Sequence, residues 1–188
     1  MRHIRHLIGL GLMAAALGTA CLSPATAQRF HPFVNGSFER GPQPGGFVTL
    51  AAGSRAIYGW VVTRATIDVI GGYWRASNGN ISIDLDGTPG AGAIAQTFAT
   101  APGRRYVVRF DLSANPQCGP AVKQMRVAAA GYSGRYWFNS AMTQTPNMHY
   151  VRHRFVFVAR SYATTLEFRS LDPDGGNCGP VLDNVSVH

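Results

Sequence analysis

The chain has 188 residues, of which 46% are hydrophobic and 14% charged, and it contains 22 glycines, 11 prolines and three cysteines. Its formal charge is +8, yet no run of adjacent basic residues exceeds two, which argues against a polybasic tail or nucleic-acid arm. Residues 1–27 read as an export signal, and the 161 residues that follow suit one domain with a full core and leave no room for two.

The signal reading rests on three features. Arg2 and Arg5 give a positive start, Leu7 to Leu22 is apolar and uncharged, and Ala25-Thr26-Ala27 offers a small-x-small cleavage site before Gln28. The apolar stretch is rather short for a membrane span, and no second one follows. Cys21 raises a lipoprotein alternative, but Gly18 stands where a lipobox usually has Leu. The expected product is secreted, with periplasm or cell surface as variants, and has no membrane span after cleavage. Loss of Arg2 and Arg5 leaves 15 basic and 9 acidic residues, and Lys123 is the single basic residue of the 15 that is not Arg. Guanidinium groups grip carboxylates and phosphates, so an acidic polysaccharide is an expected partner, although a basic surface that only confers solubility is the plainer reading.

Taken along the chain, period-two alternation recurs and helical periodicity is nearly absent. Strands are expected at 46–51, 60–65, 66–70, 81–85, 93–99, 105–112, 125–129, 149–159, 166–169 and 181–187. In the clearest of them Tyr106, Val108, Phe110 and Leu112 share one face, with Val107, Arg109 and Asp111 on the other. Turn signals such as Asp86-Gly87-Thr88-Pro89-Gly90 and Ala101-Pro102-Gly103 separate the runs. Nine or ten short strands at this spacing predict an all-β chain folded as a single β-sandwich of jelly-roll type over residues 28–188. Cys118 and Cys178, both in Cys-Gly-Pro turns, are most simply a disulfide in an oxidising compartment.

The ordered motifs Val34-Asn35-Gly36-Ser37-Phe38-Glu39, Ile57-Tyr58-Gly59-Trp60, Asp68-Val69-Ile70-Gly71-Gly72-Tyr73-Trp74, Ser82-Ile83-Asp84-Leu85-Asp86-Gly87, Ile94-Ala95-Gln96-Thr97-Phe98, Phe110-Asp111-Leu112-Ser113-Ala114-Asn115-Pro116 and Leu182-Asp183-Asn184-Val185-Ser186-Val187 carry a likeness. The sequence resembles the bacterial choice-of-anchor C family, itself related to the plant cell-wall proteins called domain of unknown function 642. The resemblance implies a galactose-binding-like jelly roll outside the cell, associated with carbohydrate or cell wall. Members of the bacterial group often carry a C-terminal sorting segment, whereas this sequence stops at His188, which weakens an expectation of surface attachment.

By likeness to carbohydrate-binding modules of this shape, Glu39 and Asp183 are expected to hold a structural Ca²⁺, with oxygens from Asn35 or Ser37. Such an ion takes six to eight oxygens at roughly 2.3–2.6 Å. The alternative is that Glu39 caps a turn or pairs with an Arg while Asp183 accepts backbone hydrogen bonds. For a sugar, the expected residues are Tyr73, Trp74, Arg75 and Asn78, which combine an aromatic face with hydrogen-bonding groups. Tyr132 and Trp137, with Tyr136 and Asn147, form a second set placed on neighbouring loops. Trp60 is expected to be core. No nucleophile elbow is present, and Asp84 and Asp86, though on one face of a strand, make a weak glycosidase pair. His149 and His153 would stand about 13 Å apart on a strand, too far to share a metal. The expected function is non-catalytic binding of carbohydrate in a cell envelope or extracellular matrix, with a structural or cell-surface protein-interaction domain as the alternative.

Overall fold

The computed structural model describes residues 30–88, 90–173 and 176–188. The expected signal at 1–27, including Cys21, lies outside the described residues. The strands are β1 Phe47–Ala51, β2 Val61–Arg64, β3 Thr66–Ile70, β4 Ser82–Asp84, β5 Asp86–Gly87, β6 Gly90–Ala91, β7 Ala93–Ala99, β8 Arg105–Ala114, β9 Val122–Ala129, β10 Tyr132–Asn139, β11 Val151–Val158, β12 Ala163–Ser170 and β13 Pro180–Val187. Among the described residues the one helical element is a short 3-10 turn at Ser140–Met142.

Two antiparallel sheets face each other, one in the order β1-β3-β4-β13-β8-β11 and the other β10-β9-β12-β7-β2, with β5-β6 as a small hairpin. When β4 and β7 to β13 are numbered one to eight, the sheets read 1-8-3-6 and 2-7-4-5. That interleaving is a jelly roll, and β1, β2 and β3 extend its edges. The alternation read from the sequence holds where it matters: Val108, Phe110 and Leu112 of β8 are fully buried against Val127 of β9 and Leu166 and Phe168 of β12. Burying each such side chain is worth about 1.5–3 kcal/mol relative to leaving it in water. Trp60 joins this core, ringed by Phe33, Phe38 and Phe168.

Cys118 and Cys178 are bonded, with Cα atoms 5.7 Å apart. The bond ties the loop after β8 to the turn before β13.

One strand differs from the sequence reading. Tyr132, Tyr136 and Trp137 do not lie on neighbouring loops; they belong to β10, which pairs with β9 along its whole length. Ala130 and Gly131 turn the hairpin with φ of 51° and 83°. Two positive values are the type I′ turn that matches strand twist, here built on Ala-Gly rather than the usual Asn-Gly. The strand at 149–159 likewise begins only at Val151, because His149 has φ 48°.

Candidate functional site

The outer face of the first sheet is roofed. Residues 71–81, between β3 and β4, fold back over it and carry Trp74 into a second cluster with Ile70, Met148 and Val181. The Trp74 indole N–H donates to Ser82 Oγ at 3.0 Å. Beneath this roof lie Asp68, Asp84, Asp111 and Asp183, all at most 5% exposed. Asp183 Oδ2 accepts the Asn78 N–H at 2.7 Å, and Asp111 accepts the Ser77 hydroxyl and a two-pronged contact from Arg152 at 2.6 and 2.8 Å.

Burial sets the acidity of these groups. It pushes Asp84 up to about 8, against hydrogen bonds from the Asp86 and Gly179 amides and the Asn115 side chain. It pushes Asp183 up to about 7, with amides of Asn78, Asn184 and Ser77 pulling the other way. Burial also raises Asp111, but the donors Arg152, Ser77 and Asn184 outweigh it and leave that carboxyl below its ordinary value. Asp84 and Asp86 are 0% and 1% exposed, so neither could reach a glycosidic oxygen as a catalytic acid or base must.

The residues expected to hold calcium are spoken for by N–H donors. Glu39 Oε1 accepts the amides of Asn80 and Ile81 at 2.9 and 2.8 Å. Asp183 Oδ1 takes the Asn184 amide at 2.6 Å. The Asn35 carbonyl takes the Phe38 amide and the Trp60 indole, while its side-chain oxygen takes the Arg40 amide. Among the described residues no group of three acidic, His or Cys side chains converges as a metal cradle. The donor set as folded is a hydrogen-bond seam that pins 78–81 to the first motif and the last strand.

The expected sugar residues separate into four places. Trp74 is 4% exposed and shows an edge, with Arg75, to a cleft of about 760 Å³ shared with Gln43 and Asn80. Tyr73 points instead to a neighbouring hollow beside Phe47, Asn115 and Gln117, and Asn78 is used as a backbone donor. Tyr132 stands at the β9–β10 turn over a hollow lined by Arg126 and Glu167. Trp137 is 66% exposed and walls a groove of about 660 Å³. That groove runs between β10 and β11, the edge strands of the two sheets, and is lined also by Arg135, Tyr136, Asn139, Met142, His149, Val151 and His153. His153 is stacked on Phe110, and burial holds its pKa below the ordinary value.

Sequence reasoning missed Arg135, Arg126 and Arg169. On β10, β9 and β12 they occupy outward positions, and cross-strand register sets Arg135 opposite Arg126 and Arg126 opposite Arg169. Alternation within 125–129 and 166–169 turns Arg126 and Arg169 away from their apolar neighbours, whereas the register that aligns them is a property of pairing between strands.

The molecule is thus a one-domain jelly-roll sandwich with a roofed outer face, an open outer face and a groove along their common edge. The chain belongs to the family described as Protein of unknown function (DUF642), which matches residues 31–188. It is 29% identical over 189 residues to halomucin of Haloquadratum walsbyi, a match that covers 95% of this chain and 2% of that protein. The chain therefore spans a small fraction of the curated relative it matches. Among solved structures it is similar to CBM35 from Paenibacillus barcinonensis, with a TM-score of 0.47, 15% identity and coverage of 75% of this chain and 98% of that one. TmCBM61 in complex with β-1,4-galactotriose gives a TM-score of 0.47 at 14% identity, covering 86% and 99%. The CBM22-1 xylan-binding domain of Paenibacillus barcinonensis Xyn10C gives 0.47 at 10%, covering 78% and 96%.

Proposed function

We propose that this chain is a secreted, non-catalytic module that binds carbohydrate in a cell envelope or extracellular matrix. The observation that carries the reading is Trp137, an indole 66% exposed on an edge strand beside a groove of about 660 Å³. Arg135 and Asn139 flank it two residues to either side on the same face, and Gln124 stands opposite on β9. An exposed aromatic face beside amide and guanidinium donors is what a sugar ring needs, with its C–H groups on the indole and its hydroxyls on the polar neighbours. The disulfide and the signal-like leader both favour an oxidising compartment outside the cytoplasm. The finer resemblance to choice-of-anchor C proteins is part of this reading and rests on the motifs of residues 34–187.

One observation favours the alternative of a protein-contact domain. The groove is lined largely by Tyr136, Trp137, Phe138, Met142 and Val151, and two strand edges border it. Affinity gel electrophoresis of the full secreted chain against a panel of neutral and acidic polysaccharides distinguishes the two. Carbohydrate binding predicts retardation that Trp137→Ala removes while the melting temperature holds; no retardation on any polysaccharide would leave the protein-contact reading.

A further inference from the structure

We infer that the open outer face formed by β10, β9 and β12 is a binding site for a linear anionic polysaccharide, whose carboxylates or sulfate esters are held by the ladder Arg135–Arg126–Arg169. This inference rests on the carbohydrate reading above and adds a ligand class and a second set of residues to it.

The ladder is set by register. Arg135 faces Arg126 directly across the β10–β9 pair, and Arg126 faces Arg169 directly across the β9–β12 pair. Neighbours of Arg126 and Arg169 point inward, as Met125, Val127 and Phe168 are buried, and Arg135 itself is exposed. Neighbouring strands lie about 4.8 Å apart, so three guanidinium stems rise from a line about 10 Å long. Like charges placed directly opposite destabilise a sheet, so the arrangement costs stability and needs another explanation.

No carboxylate forms an ion pair with it among the described residues. Glu167 is the one carboxylate in the five strands of this sheet, and its Oε2 accepts from the Thr63 hydroxyl at 3.4 Å. None of the three arginines makes an ion pair among the described residues, and Arg169 Nε is buried with no acceptor among them. Lys123, the remaining cation of β9, points inward and donates to the Cys118 carbonyl instead.

The surroundings select the class of anion. Beside the ladder Ala128 and Ser133 stand opposite each other with short side chains, so an extended polymer can pass close to the sheet there. A guanidinium meets a carboxylate or sulfate through two parallel N–H donors, a geometry a point charge lacks. Trp137 lies two residues from Arg135 on the same face, ready to stack on a ring of the same chain while the ladder holds its acid groups. A polynucleotide would also be attracted by three arginines, but the disulfide fits an oxidising compartment, where a glycan is the commoner polyanion.

The test uses the full secreted chain with polygalacturonate, dextran sulfate, neutral dextran and single-stranded DNA as probes, at about 50 and about 300 mM NaCl. The triple variant R126Q/R135Q/R169Q should bind the acidic polysaccharides at least about tenfold more weakly, while its melting temperature stays level or rises as the repulsion is relieved. The control R109Q/R154Q removes an arginine pair that is in direct register on the other sheet, and should change affinity less than about twofold. Unchanged binding in the triple variant, or equal weakening in the control, overturns the inference. If Trp137→Ala abolishes polysaccharide binding and the triple variant does not, the carbohydrate reading stands and the ladder falls. Loss in the triple variant that is strongest for DNA and indifferent to Trp137 overturns both.

Discussion

The two outer faces of this sandwich treat charge in opposite ways. On the sheet that contains β4, β13 and β8, Asp111 and Asp183 are buried and bonded to Ser77 and Asn78 of the covering loop, and Asp84 is buried and bonded to Asn115 and Gly179. On the sheet that contains β10, β9 and β12, three arginines stand in a row with no carboxylate paired to any of them among the described residues. The contrast separates charges spent on architecture from charges left available. A buried acid that accepts amides organises a loop, whereas an unpaired guanidinium row on an open face organises nothing within its own chain.

Breaking the covered side should leave the open side working. Replacing Cys118 and Cys178 with Ser removes a bond that closes a separation of 60 residues, and chain-entropy models put the loss of stability at about 4 kcal/mol. Denaturant unfolding should show that loss, while polysaccharide affinity measured under folded conditions stays within about twofold; a parallel loss of affinity would mean that the faces are coupled.

A smaller effect, of opposite sign to ordinary proteins, should appear with pH. Burial pushes Asp84, Asp183 and Asp86 up to about 8, about 7 and about 6, above the ordinary carboxylate range. Groups shifted upward stabilise fully below the unfolded value, and that contribution is lost as pH rises through the folded value. His153, shifted downward by burial, opposes them with one group against three. The melting temperature should therefore fall between about pH 5 and about pH 8, and Asp84→Asn should flatten the slope. A melting temperature that climbs over this range would show that the covered acids are ionised and paired.

The smallest expected effect is that of calcium. The oxygens of Glu39 and Asp183 already accept five amide hydrogens from Asn78, Asn80, Ile81 and Asn184 and the Ser77 backbone, so added Ca²⁺ should leave the melting temperature where it was. A rise reversed by a chelator would restore the ion to the seam.

Much of this was legible in the sequence, for definite reasons. Alternation found ten strands because buried positions such as Val108, Phe110 and Leu112 are apolar at every second residue. The pairing of Cys118 with Cys178 followed from their being the two cysteines outside the expected signal at 1–27. What escaped was of three kinds. Strand β10 was hidden because Gly134 interrupts it, aromatics occupy both its faces, and its turn uses Ala-Gly. The fate of Trp74 was hidden because a loop that folds back over a sheet buries side chains without any periodic signal, and its burial moved the exposed indole of the candidate site to Trp137. Arginine alignment was hidden because it depends on how far each strand slides past the next.

The position of β13 bears on how the chain can be made. It is the thirteenth strand to emerge, yet it sits in the middle of its sheet, hydrogen-bonded to β4 on one side and β8 on the other. Gly36 lies so close to the Val185 carbonyl that a side chain there would collide with it, and the two exchange a backbone hydrogen bond. Until β13 arrives, the halves β1-β3-β4 and β8-β11 have unpaired inner edges and the opening motif has no wall to rest on. Folding of that sheet is consequently gated by its last strand, and before that strand arrives the chain must be kept from pairing those edges with a neighbour.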